Sequence, residues 1–115
     1  MLSKELMNEL LTFRRDRDWE QFHSSKNLSI SICIEAAELL EHFQWAKDSE
    51  LEDILLNNRE EIESEIADIG ILLAYLCNDL NVSLIDAIRR KISVNNTKYP
   101  VDKAKGVSTK YDRLK

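Results

Sequence analysis

Apolar residues recur at helical spacing along most of the chain, and the breaks between runs divide it into four main helices. The first is expected from about Ser3 to Asp18, with Ser3 as N-cap and Leu6, Leu10, Leu11 and Phe13 or Arg14 tracing one face. The next stretch, Trp19 to Lys26, loses the period and reads as a loop rich in aromatic and polar groups. A second helix is expected from about Asn27 to Trp45, with Asn27 as its cap. Residues 46–57 read as a connection that holds one short helix after Asp48, where Leu51, Ile54 and Leu55 keep helical spacing. The third and longest helix is expected from about Asn58 to Leu80. The fourth opens at Ser83, with Asp86 three residues on, and closes near Tyr99 because Pro100 disfavours helix before it. Residues 101–115 have no period and read as an extended or mobile tail.

Short connections and four such helices predict an all-α fold, a small four-helix-type bundle in a single domain spanning residues 1–115. Two of the helices are apolar over most of their circumference, a pattern of helices buried in a bundle or between subunits. In the second, the polar residues gather in one notch: Ser31, Glu35, Glu38 and His42. The third repeats the arrangement with Glu61, Glu65 and Asp68. Cys33 and Cys77 read as small core residues, since nothing adjacent in sequence would lower a thiol pKa.

Composition narrows the classes. The 115 residues include two Gly and one Pro, too few turn formers for a β-sandwich or a phosphate-cradling glycine loop. The longest uncharged apolar run, Ile69 to Cys77, falls far short of the roughly 18 residues of a membrane span. No apolar signal core follows Met1, and two cysteines 44 residues apart make neither a disulfide framework nor a zinc pattern, so a cytoplasmic protein is expected. The net charge of −5 is split unevenly. Residues 1–86 carry 7 basic and 19 acidic groups, while residues 87–115 carry 9 basic and 2 acidic. An acidic body argues against a nucleic-acid polymer as partner and suits a metal-bound polyphosphate; a solvated acidic surface paired with a basic terminus would give the same balance.

Glu35 and Glu38 stand three residues apart on one helical face, and so do Glu65 and Asp68. Carboxylates clustered in apolar surroundings repel one another, and a divalent cation removes that cost. All-oxygen ligands select Mg²⁺, with Mn²⁺ as the alternative, over zinc; neither pair contains the His expected of a di-iron bundle. Surface acids paired with Lys or Arg are the plainer explanation. Against it, no Lys or Arg occurs between Asn27 and Trp45 or between Glu60 and Asn81. Glu41 extends the series and either acts as a base or faces solvent. On the fourth helix Lys91, Asn95 and Lys98 share one face, beside Arg90, and would suit a phosphate clamp or an ordinary solvated face. Trp19, Phe22, His23, Trp45 and Tyr75 could wall a nucleobase, or Trp45 and Tyr75 could simply be core.

The words around these residues carry a resemblance. Glu35-Ala36-Ala37-Glu38, then 26 residues, then Glu65-Ile66-Ala67-Asp68 resembles the ExxE…ExxD signature of the MazG-like, all-α nucleotide pyrophosphohydrolases. Arg17-Asp18-Trp19-Glu20-Gln21-Phe22-His23, Asn27-Leu28, Phe43-Gln44-Trp45, Lys91-Ile92-Ser93-Val94-Asn95, Lys98-Tyr99-Pro100 and Gly106 to Tyr111 are similar to the dCTP-hydrolysing branch of that family. The resemblance implies Mg²⁺-dependent hydrolysis of a (deoxy)nucleoside triphosphate, dCTP or a modified dCTP, to the monophosphate and pyrophosphate. It implies metal ligation by Glu35, Glu38, Glu65 and Asp68, phosphate binding by Lys91 and Asn95, and a base or sugar pocket from Trp19, His23 and Trp45. Glu38 or Glu41 would be the catalytic base, and Lys98 would join the phosphate residues. It also implies a homo-oligomer, a tetramer in preference to a dimer. One position departs: the aromatic that the family often places four residues after the metal-binding Asp is here Leu72, with Tyr75 as a partial substitute. Two other readings stand beside this one, the same chemistry on another nucleotide such as dUTP and a non-catalytic helical adaptor.

Overall fold

A computed structural model of the chain describes residues 2–115. Its regular elements are helical, with no strand among the described residues, and they form two compact units, residues 2–81 and residues 82–115. No single helix among the described residues is long and apolar enough to cross a membrane.

In the first unit, α1 (Lys4–Asp16) is capped by Ser3, whose hydroxyl accepts from Leu6 N at 3.1 Å. It ends on a closed turn with Asp18 in the left-handed region at φ 54°. There Asp18 N donates to Arg15 O and Trp19 N to Arg14 O, so the last carbonyls of the helix are satisfied without a glycine. A 3₁₀ turn, Glu20–Phe22, interrupts the loop expected over Trp19 to Lys26. Helix α2 (Ser25–Glu41) starts before Asn27: Ser24 is the cap and accepts from Asn27 N at 3.1 Å. Asn27 instead donates its side-chain amide to Phe22 O, tying the 3₁₀ turn to the helix. Helix α2 also stops short of Trp45, because the amides of His42 and Phe43 bond three residues back, to Leu39 and Leu40, and tighten the chain into turns. After a 3₁₀ turn (Asp48–Glu50), α3 (Leu51–Asn57) forms the expected short helix, and α4 (Arg59–Asp79) follows at nearly the expected bounds.

Helices α2 and α4 run antiparallel along each other and make the main packing of this unit, with α1 and α3 set against α4. The apolar core is small: Leu28, Ile62, Ala74 and Tyr75 are buried. Helix α2 is therefore not enclosed among the described residues. Ile30, Ile34 and Leu40 are exposed, Cys33 is exposed rather than core, and Cys77 is half-buried. Helix α1 is fastened to α4 by polar groups. The buried Arg14 guanidinium donates two hydrogen bonds of 2.8 Å to the Asp79 carboxylate, and the Tyr75 hydroxyl donates to Leu10 O at 2.6 Å.

The second unit holds α5 (Leu84–Lys98), capped by Ser83, which accepts from Asp86 N at 3.3 Å. The tail is not simply extended. Pro100 leads into a short helix, α6 (Val101–Ala104), which Gly106 closes at φ 78°, and a 3₁₀ turn forms at Tyr111–Arg113. A fixed proline φ before the first turn and a glycine free to turn left after it explain helix where side-chain periodicity is absent.

Arg14 holds the Asp79 carboxyl below the ordinary Asp range, chiefly by its hydrogen bonds. A lowered folded-state pKa contributes stability above the ordinary Asp value that is lost as pH falls through the lowered one. Asp79→Ala leaves a buried guanidinium unpaired and is expected to cost about 3 kcal/mol. Thermal melts between neutral and acid pH check both points: the variant should melt lower at neutral pH and lose part of the wild-type acid dependence.

Candidate active site

Glu35 and Glu38 sit mid-way along α2, and Glu65 and Asp68 on α4. Antiparallel packing brings the four together. Glu35 is half-buried and shares a hydrogen bond with Glu38, and the charges of Glu38, Asp68 and Glu65 all reach it. Burial, that hydrogen bond and repulsion from the three neighbours, in that order, push its carboxyl above the ordinary Glu range. Glu35 Oε2 is shut off from solvent and has no hydrogen-bond partner among the described residues. Glu38 and Asp68 are exposed at the opening, so the cluster lies at a rim and not deep in an apolar interior. No Lys or Arg among the described residues forms a salt bridge with any of the four.

A carboxylate oxygen that is buried, orphaned and raised in proton affinity by three other carboxylates fits a hard divalent cation well. The side chains as they stand do not close into a ligating group of three among the described residues. Glu41, at the end of α2, is exposed and is not among the groups that perturb Glu35.

His42 contributes what spacing alone did not assign. Its Nε2 lies 2.7 Å from Glu65 Oε2, and the Asn58 amide donates to its Nδ1 at 3.3 Å, which directs the Nε2 proton at the carboxylate. The signal was present in the sequence, since His42 shares the acidic notch, but the distance to Glu65 depends on helix packing. Asn58 precedes α4 and makes no side-chain cap bond there; its amide serves His42 instead.

Beside the carboxylates opens a cleft of about 390 Å³ lined by Leu10, Phe13, Trp19, His23, Glu35, Asp68, Ile71, Leu72 and Tyr75. The closed turn at Asp18 delivers Trp19, which meets Phe13 edge-on at 5.7 Å between ring centroids and is 44% exposed, leaving ring surface open to a ligand. His23 stands 5.4 Å from the Tyr75 ring. Tyr75 lines the wall but is only 3% exposed, with the Arg14 guanidinium 4.6 Å from its ring centroid, so it supports the wall and offers no free stacking face. Trp45 is 86% exposed and does not line the cleft of its own chain. Lys91, Asn95 and Lys98 belong to the second unit, on one face of the continuous α5. Lys91 and Asn95 are exposed there, and the Lys98 ammonium lies 4.5 Å from the Tyr111 ring centroid.

A family model described as MazG-like matches residues 30–114. The chain belongs to the MazG-like family. It is 38% identical over 104 residues to dCTP pyrophosphatase 1 of Bos taurus, covering 89% of this chain and 62% of the relative. It is 36% identical to dCTP pyrophosphatase 1 of Homo sapiens, covering 89% and 61%. The chain thus spans about three fifths of the length of these curated relatives. A crystal structure of a pyrophosphatase from Archaeoglobus fulgidus superposes with a TM-score of 0.81 at 44% identity, over 84% of this chain and 91% of that one. The matched family region contains all four carboxylates and the α5 residues, whereas Trp19 and His23 precede it.

Because Glu35 is held protonated more readily than an isolated Glu, its contribution to cation-free stability is present at low pH and is lost as pH rises through its raised value. Glu35→Gln keeps the shape, can donate to Glu38 and removes one charge from the cluster. In the presence of a chelator it should raise the melting temperature near pH 8 while changing it little near pH 4. A variant that melts no higher than wild type at the upper pH would contradict the clustering.

Proposed function

We propose that this chain hydrolyses a (deoxy)nucleoside triphosphate, dCTP or a modified dCTP, to the monophosphate and pyrophosphate, with Mg²⁺ as cofactor and Mn²⁺ as the alternative. The observation that carries the reading is four carboxylates with no Lys or Arg salt bridge among the described residues, two of which, Glu35 and Asp68, line an aromatic cleft. Relatives called dCTP pyrophosphatase 1 support the substrate class.

Glu35, Glu38, Glu65 and Asp68 would hold the cation, which supplies charge neutralisation and Lewis acidity toward the phosphate oxygens. Glu35 must release its extra proton affinity for that to happen. His42 would keep Glu65 aimed through its Nε2–H. Glu38 is better placed than Glu41 to take the proton from the attacking water, because Glu38 belongs to the cluster and Glu41 does not. Trp19 and His23 would receive the base or sugar. Lys91 and Asn95, with Lys98, carry the phosphate-binding role as a proposal from the resemblance, and K91A is the variant that probes it.

Replacing Glu38 or Asp68 with Ala should lower pyrophosphate release from dCTP by about 100-fold, the equivalent of a few kcal/mol of transition-state stabilisation. A panel of nucleotides including dUTP, assayed with Mg²⁺, identifies the preferred base. Undiminished turnover in both folded variants would refute the assignment.

The exposed stripe Ile30, Cys33, Ile34 and Ala37 on α2, with Leu40 and Trp45 beyond it, supports assembly into a homo-oligomer, and the resemblance favours a tetramer over a dimer. It would equally serve a non-catalytic adaptor, which predicts no melting shift with Mg²⁺ and a non-hydrolysable nucleotide. Ile34→Glu should shift the particle to smaller mass in sedimentation; an unchanged mass would place the interface elsewhere.

A further inference from the structure

Arg14 is the one charged residue that is buried among the described residues, and the mechanism above leaves it without a task. Its fork is aligned by Asp79 through two bonds of 2.8 Å, its guanidinium carbon lies over the Tyr75 ring at 4.6 Å from the centroid, and its Nη1 comes within 3.5 Å of His23 Nδ1. A guanidinium donates and cannot accept. The His23 nitrogen facing it must therefore present a lone pair, which leaves the imidazole proton on Nε2. That second nitrogen has no protein partner among the described residues, while the ring itself lines the cleft.

We propose that Arg14, aligned by Asp79, is a positioning residue that holds His23 as its neutral Nε2–H tautomer, so that the cleft offers a nucleobase one fixed hydrogen-bond donor. The complementary base edge carries an oxygen or ring-nitrogen acceptor. The inference rests on the nucleotide reading above and specifies the chemistry of its base pocket. A proton on Nδ1 would point at the guanidinium, so neither the other tautomer nor the imidazolium is compatible with the Arg14 contact. The groups facing His23 agree. Burial and the Arg14 charge hold its pKa below the ordinary value, while Asp79 works in the opposite direction. Tyr75, from α4, stands beside the ring, Glu20 of the preceding turn acts on Arg14, and Glu35 of α2 with Asp68 of α4 line the same cleft. Without Arg14, those carboxylates would favour a charged ring. Its position keeps the neutral donor form to lower pH than an isolated histidine would allow.

Long-range ¹H–¹⁵N spectra of the imidazoles test this directly, with the His23 signals assigned by their loss in His23→Gln. Wild type should show Nδ1 unprotonated, Nε2 protonated, and a titration midpoint below the ordinary value of about 6.5. Arg14→Met should mix the tautomers and raise the midpoint. Because that change strands Asp79, the paired variant Arg14→Met with Asp79→Leu removes both charges and keeps the site filled. It should show the same mixing and raise KM for dCTP about two- to tenfold with kcat retained, the worth of one hydrogen bond. Arg14→Lys keeps the charge but not the fork, and should restore the midpoint more than the tautomer. A paired variant that is folded and still holds His23 in the wild-type tautomer and midpoint overturns the proposal. The spectra are independent of turnover: a wild type inactive on every nucleotide would sink the functional reading, and the tautomer would still decide the role of Arg14.

Discussion

Mutual repulsion among carboxylates is the constraint around which this molecule is arranged. Four acids face one another across α2 and α4 with no Lys or Arg salt-bridged to them among the described residues. A fold built for stability alone would place a cation there or spread the charges. Here the repulsion is taken up in three ways. Glu35 binds its proton more tightly, Glu65 receives a hydrogen bond from His42, and Glu38 and Asp68 stay in contact with water at the rim. The helices that carry the cluster are held together elsewhere, by Leu28, Ile62, Ala74 and Tyr75.

That core is thin for a chain of this length, and polar fastening compensates in part. The bidentate Arg14–Asp79 pair and the Tyr75–Leu10 bond clamp α1 onto the far end of α4. The same clamp shapes the aromatic cleft, because Tyr75 is simultaneously core, lid for the guanidinium and wall behind His23. Stability and recognition thus share residues, and the stretch that delivers Trp19 depends on an aspartate, Asp18, standing in a left-handed conformation where glycine is the common choice.

Helical periodicity made the long helices and the short α3 legible, and carboxylate spacing made the acidic cluster legible, because both are local rules. What sequence could not supply was anything set by packing between elements. Asn27 precedes an apolar run, as a cap would, yet Ser24 caps the helix by accepting from the Asn27 backbone amide, and the Asn27 side chain holds Phe22 instead. Cys33 lies on a helix that is apolar nearly all round, as a core residue would, yet it is exposed among the described residues. Trp45 shared the aromatic character of the expected pocket, but the chain turns before it and leaves it in solvent. Periodicity left Phe13 and Arg14 as alternatives on one face of the first helix, and only the bond to Asp79, 65 positions away, gives Arg14 its buried place.

Leu72 and Tyr75, three residues later, act on the cleft together. Both positions line the cleft, about one helical turn apart. A ring at Tyr75 lies deeper against α1, where its hydroxyl must find an acceptor and its face must be covered. Leu10 O meets the first demand and Arg14 the second. Burying Arg14 then requires Asp79, and placing that guanidinium beside the cleft dictates which nitrogen of His23 can carry a proton. Leu72 therefore sits beside a connected set of residues running through α1 and α4, and the shape and polarity of this cleft follow from the set as a whole.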